Sequence, residues 1–223
     1  MLNETAILDQ KLAPGLIENP CRDRLIAEAM HVPADLAIVE LGSFKGRSTG
    51  HLALGSQRGH GAKVHAFDPW DDAPPVEDWY LGTAPSVAEY REPSTREAFE
   101  RHMNETGAAE HVTAHQMTAT DGAKAWTGPK VGLLFHDALH DYGSVFADLK
   151  AWLPHMARTA VVVLHDTDDP RYQVLEAAEA AFTRTKTLRE RWDWPGREVV
   201  PWAKNEGKAP EQRRRGFTVV RTR

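Results

Sequence analysis

Two aspartates and a histidine stand just beyond the ends of two apolar runs. Val131–Phe135 leads into Asp137 and then His140, and Ala160–Leu164 leads into His165 and Asp166. If these runs are neighbouring parallel strands, Asp137 and Asp166 meet at one edge of the sheet. Carboxylate oxygens from separate strands suit a hard cation such as Mg²⁺. A bound cation lowers the cost of making an alkoxide from a hydroxyl, and a histidine that titrates near working pH can accept the proton. Asp137 and Asp166 are therefore the metal candidates, with His140 and Asp137 as the catalytic pair. His136, among apolar strand residues, reads as structural, whereas His165 reads as a rival base or as a partner that orients Asp166. A plainer reading makes Asp137 and Asp166 helix caps or partners of arginine.

A second group surrounds Glu40-Leu41-Gly42-Ser43-Phe44-Lys45-Gly46. An apolar run ends there in an acid and a glycine, and a helix follows near Arg47. Glycines allow close backbone approach to a ligand, and a helix N-terminus offers free N–H donors. A dinucleotide turn would read G-x-G-x-x-G and cradle a pyrophosphate. Here an acid occupies the first glycine position, which repels a diphosphate and suits a cationic amino acid or sulfonium. Asp68 ends the next run, where an acid can accept both ribose hydroxyls. The pattern favours S-adenosylmethionine over NAD. An NAD-linked oxidoreductase and a methyltransferase-like binding module without catalysis stand as the alternatives.

The segment from Glu40 to Ser48, followed by Phe67-Asp68, resembles motif I and the acidic loop of class I methyltransferases. Leu134-Phe135-His136-Asp137-Ala138-Leu139-His140-Asp141-Tyr142 resembles the signature of a branch containing metal-assisted O-methyltransferases of sugars and other natural products, and a cephalosporin-hydroxylase-like group. Asp148-Leu149, Trp152-Leu153-Pro154 and Leu164-His165-Asp166 continue the pattern. The resemblance implies that Glu40, Gly42, Ser43, Gly46, Ser48, Asp68, Thr118 and Asp137 surround S-adenosyl-L-methionine. It also implies that Asp137 and Asp166 hold Mg²⁺ or another divalent cation, and that His140 is the base. Thr118 would reach the adenine, with helix capping as its other reading. Lys45 and Ser48 would line the methionine end or face solvent. Thr167 stands where the branch often has another acid or amide, so either Asp168 and Asp169 reach inward or the site uses two carboxylates and water. The expected acceptor is a small molecule bearing a hydroxyl.

Positioning these residues requires an α/β, doubly wound, mostly parallel Rossmann-like sheet in three layers. Its strands are expected at Leu36–Leu41, Val64–Phe67, Val112–Met117, Val131–Phe135 and Ala160–Leu164, because continuous apolar runs fit strands buried on both faces. Helical spacing predicts helices over Ser94–Glu105, Tyr142–Met156 and from about Pro170 through Phe182. Glu198–Trp202 and Gly216–Arg221 are expected to form an antiparallel hairpin at one sheet edge. One domain is expected over 1–223, with an N-terminal helical segment at 1–33. Residues 69–93 form a substrate-side insert or lid, rich in acids and aromatics including Trp70, or else a dimer contact.

The 223 residues carry a net charge of −5, which offers no general attraction to nucleic acid or anionic membranes. A single cysteine, Cys21, excludes an internal disulfide framework. Polar residues interrupt every apolar run near Met1, and no stretch approaches the roughly 18 apolar residues of a membrane span. The expectation is a cytoplasmic protein; homo-oligomerisation stays open.

Overall fold

Runs that are apolar at every position have no solvent-facing side, so they become inner strands with side chains alternating between two covered faces. The computed structural model describes residues 17, 19–70, 95–169, 172–185, 188–194 and 217–222. Its elements run α1 (Asn19–Met30), β1 (Ala37–Leu41), α2 (Arg47–Arg58), β2 (Val64–Asp68), α3 (Thr95–Thr106), β3 (Val112–Gln116) and α4 (Ala119–Ala125). They continue as β4 (Val131–His136), α5 (Tyr142–Trp152), β5 (Met156–His165), α6 (Val174–Thr185), β6 (Leu188–Trp194) and β7 (Phe217–Thr222). The seven described strands form one sheet in the order β3-β2-β1-β4-β5-β7-β6. β1 to β5 are parallel, and β7 runs antiparallel between β5 and β6.

Alternation sorts the core into two layers. Ile38, Leu133, Phe135 and Val163 pack with Leu25, Leu52 and Phe99 on one face. Val39, Leu134, Val162 and Leu164 pack with Leu149, Trp152 and Phe182 on the other. Helices α1 to α3 thus cover one side of the sheet and α4 to α6 the other. Each fully buried Leu or Phe contributes roughly 1.5–3 kcal/mol by leaving water.

The sheet meets the expectation for the fold, with two local corrections. The helix expected to reach Met156 stops at Trp152, and Leu153–His155 form a 3₁₀ turn. Pro154 has no N–H to continue the ladder and its ring crowds the preceding turn. Met156 is buried, as the spacing implied, but as the first residue of a ten-residue β5. The antiparallel partner of the last strand is Leu188–Trp194; Glu198–Trp202, Ser94, Pro170 and most of the 69–93 insert lie outside the described residues. No helix among the described residues is long and apolar enough to cross a membrane.

Candidate functional site

The C-terminal ends of β1 and β4 meet without side chains between them. Leu41 lies opposite His136, and the Asp137 N–H donates to the Leu41 carbonyl at 2.8 Å. Gly42, at φ 86°, follows at once, and a Cβ there would strike the Asp137 carbonyl and come 2.7 Å from Ala138 Cα. Glycine is required at 42 because two loops touch, as well as by its left-handed backbone. Gly46, at φ 83°, has a different reason. A Cβ there would lie 2.7 Å from Met103 Cε and 2.9 Å from Phe99 Cδ2, so packing of α3 favours glycine alongside the left-handed backbone.

Between these glycines, Phe44 is left-handed at φ 45°. Asp68 holds the turn: its Oδ2 accepts from the N–H groups of Ser43 (2.9 Å) and Phe44 (2.8 Å), and its Oδ1 from Trp70 (2.6 Å). The acid expected to meet a ribose therefore also fixes the turn's backbone. Lys45 and Ser48 are buried, which corrects the solvent-facing reading of both. Glu40 lies beneath the turn with no exposure; the Thr49 hydroxyl donates to its Oε2, while Oε1 has no partner. Burial pushes this carboxyl up to about 7, and repulsion from Asp137 adds to the shift. The hydroxyls of Ser48, Thr49 and Ser43 act the other way.

Beside this turn, single ligand atoms of Asp137, His140 and Asp166 all lie within 4.8 Å of one another. His140 Nε2 is 3.3 Å from Asp166 Oδ2 and 3.6 Å from Asp137 Oδ1. Buried His165 bridges the same acids from below, its Nδ1 3.2 Å from Asp137 Oδ1 and 3.4 Å from Asp166 Oδ1. Burial alone would raise the Asp137 carboxyl, but His165 and His140 outweigh it and hold Asp137 at about 2. Burial disfavours a charged His140, yet Asp137 and Asp166 push it up to about 9. His165 is raised well above its ordinary value by the same two acids, against burial. Asp166 is left-handed at φ 55°, a conformation that costs a non-glycine residue about 1–3 kcal/mol and that recurs at functional sites.

The structure brings Asp137, His140 and Asp166 together as the sequence anticipated. Asp168 and Asp169 are not part of the Asp137–His140–Asp166 group among the described residues, which leaves the alternative of two carboxylates and water. Thr167 instead receives a hydrogen bond from the Thr218 hydroxyl (3.1 Å). Thr118 caps α4: its hydroxyl accepts from the Asp121 N–H and donates to the Asp121 carboxylate. His136 is buried, with Nε2 3.2 Å from Asp148 Oδ2, and Asp148 also accepts from Thr120 (2.8 Å), tying β4, α5 and α4 together. Trp70, expected in the acceptor wall, is a core residue whose ring lies tilted against Phe99 at 5.0 Å. Tyr172 was not anticipated: its ring stacks on His140 at 4.4 Å, a contact that no local sequence signal announces.

A family model described as a methyltransferase domain matches residues 39–167, which covers both the turn and the Asp137–Asp166 cluster. The chain belongs to this methyltransferase family. No curated protein matches the chain. Among solved structures, the precorrin-6y C5,15-methyltransferase of Geobacter metallireducens is 14% identical with a TM-score of 0.62, over 96% of this chain and 95% of that one. The O-methyltransferase TomG of Streptomyces achromogenes, involved in tomaymycin synthesis and solved with SAM, is 17% identical. Its TM-score is 0.61, over 100% of this chain and 90% of its own. The O-methyltransferase of Bacillus cereus, solved in complex with SAH, is 12% identical with a TM-score of 0.60, over 100% and 92%. These likenesses show a shared fold. Family membership decides between the two cofactor readings of the turn: the protein is an S-adenosylmethionine-dependent methyltransferase.

Proposed function

We propose that the protein transfers the methyl group of S-adenosylmethionine to a hydroxyl of a small molecule, with Asp137, Asp166 and His140 at the acceptor. The observation that carries this reading is the convergence of those three side chains beside the backbone contact between Gly42 and Asp137. The acceptor oxygen bonds to the methyl carbon as the carbon–sulfur bond breaks. The electron pair stays on sulfur as a neutral thioether, and the hydroxyl proton passes to His140 Nε2. Holding both reactants in line supplies roughly 7–11 kcal/mol of the barrier.

The donor set fits a divalent cation, since two carboxylates and an imidazole present one atom each within a few ångströms and His140 Nε2 is buried without a close hydrogen-bond partner. Asp137 and Asp166 would hold such a cation, which when bound would lower the cost of the alkoxide. Leu139, 64% exposed between the two catalytic candidates, and half-exposed Tyr142 give the acceptor apolar surface to rest on.

The same geometry favours a second role for His140 as third metal ligand, the proton then leaving to water. Metal titration separates the two: His140→Ala loses cation affinity if it is a ligand, and keeps affinity but loses turnover if it is the base. The function is tested by S-adenosylhomocysteine release across a library of hydroxyl-bearing acceptors. Asp137→Ala and Asp166→Ala should abolish release while cofactor affinity stays within a few-fold, and chelator should do the same. Full activity in chelator removes the cation from the account. Cofactor binding without transfer to any acceptor would leave a binding module instead.

A further inference from the structure

The cofactor turn is gripped from outside by residues that neither motif contains. The Trp70 indole N–H donates to the Phe44 carbonyl at 2.7 Å, and His102 Nδ1 donates to the Lys45 carbonyl at 2.8 Å. Trp70 and α3 also hold each other: the Trp70 and Phe99 rings lie 5.0 Å apart, and the Arg96 guanidinium sits 4.5 Å from the centre of the Trp70 ring. Phe99 and Met103 of α3 are the atoms against which Gly46 fits. Two successive carbonyls of the turn are thus fixed by one side chain from each end of the 71–94 stretch. Both gripping residues are buried. Phe44 and Trp70 are both left-handed, at φ 45° and 47°, so the bonded pair keeps two strained residues in place together.

A carbonyl that accepts a hydrogen bond cannot rotate its peptide without losing it, and the peptide's N–H on the other side is then aimed as well. The Phe44 carbonyl shares its peptide with the Lys45 N–H, and the Lys45 carbonyl shares its peptide with the Gly46 N–H. The Gly46 N–H in turn donates to the Ser43 carbonyl at 2.8 Å, so fixing both carbonyls sets two successive peptides and with them the shape of the turn at the entrance to α2. We propose that Trp70 and His102 are positioning residues for the cofactor, acting through the Phe44 and Lys45 carbonyls. The inference rests on the turn being the S-adenosylmethionine site, and it assigns Trp70 and α3 to cofactor affinity.

The test is calorimetry of S-adenosylhomocysteine with the full chain. Trp70→Phe keeps a ring against Phe99 but removes the N–H donor together with part of the ring system; His102→Leu removes the second donor, and His102→Asn restores an amide near Nδ1. Losing one hydrogen bond should weaken binding roughly 3- to 10-fold in Trp70→Phe and in His102→Leu. His102→Asn should return to within about twofold of the native chain, at a similar ligand-free melting temperature. A purely structural role predicts lower melting temperatures without this pattern of rescue. Native affinity in both donor-less variants, or no rescue by asparagine, overturns the proposal while leaving the cofactor reading intact. A native chain that does not bind S-adenosylhomocysteine overturns both.

Discussion

Replacing Glu40 by glutamine should stabilise the ligand-free protein at pH 8 and change nothing at pH 4.5. The Glu40 carboxyl moves from 4.5 to about 7 on folding, chiefly because burial penalises its charged form. At about 1.4 kcal/mol per unit, the shift amounts to about 3 kcal/mol. The sign follows from proton counting. Between the two values the folded state holds the proton and the unfolded state does not, so stability falls as pH rises. Below 4.5 both states are protonated and there is no cost; above 7 both are ionised and the cost is complete. Glutamine imitates the neutral acid and keeps an oxygen for the Thr49 hydroxyl. Urea unfolding of the two chains from pH 4.5 to 8, followed by tryptophan fluorescence, isolates Glu40 because other titrations cancel in the difference. A difference independent of pH, or a native chain more stable than the glutamine variant at pH 8, refutes the reasoning. With the sulfonium cofactor at this turn, as proposed, binding brings positive charge beside Glu40 and restores the carboxylate. At pH 7 the native chain should release roughly half a proton on binding, and the glutamine variant none; calorimetry in buffers of different ionisation enthalpy measures this.

Three further predictions concern neighbouring residues. Gly42→Ala should cost about 2–5 kcal/mol in unfolding experiments, since it adds a clash with the Asp137 backbone to left-handed strain. Gly61→Ala, also at positive φ but in open space, should cost only about 1 kcal/mol. His140→Gln should slow turnover about a hundred- to ten-thousandfold and remove one ionisation from the pH–rate profile. A slowing of less than fivefold would move the base elsewhere. Asp148→Ala should destabilise by about 1–3 kcal/mol in urea titration, because it leaves buried His136 and the Thr120 hydroxyl without their shared acceptor.

The inner strands were legible because burial on both faces leaves an uninterrupted apolar record, as in Val131–Phe135 and Val161–Leu164. Leu188–Trp194 left none: Arg189, Glu190, Arg191 and Asp193 make an edge strand look like a polar connection. An outermost strand pairs on one side only, so its composition is freer. Met156 shows the opposite limit. Its spacing recorded burial correctly, but periodicity could not say that Pro154 had already ended the helix. At the site, Asp137 and Asp166 were found because each follows a strand directly, and His140 because it stands three residues beyond Asp137. Trp70, His102 and Tyr172 were not, because their partners lie on other elements and their types suit a core equally well. Gly46 was recognised as a required glycine, but a sequence does not reveal that Phe99 and Met103 fill the space beside it.

The direct backbone contact between Gly42 and Asp137 ties the turn proposed to hold the methyl donor to the loop proposed to face the acceptor, through the hydrogen-bond ladder of β1 and β4. The separation of the two reactants is therefore a dimension of the sheet, as fixed as the spacing between its strands. Loops around the pocket can be exchanged to suit other acceptors without resetting the distance over which the methyl travels. Turnover should persist on heating until the sheet itself comes apart, and then fail together with the fold.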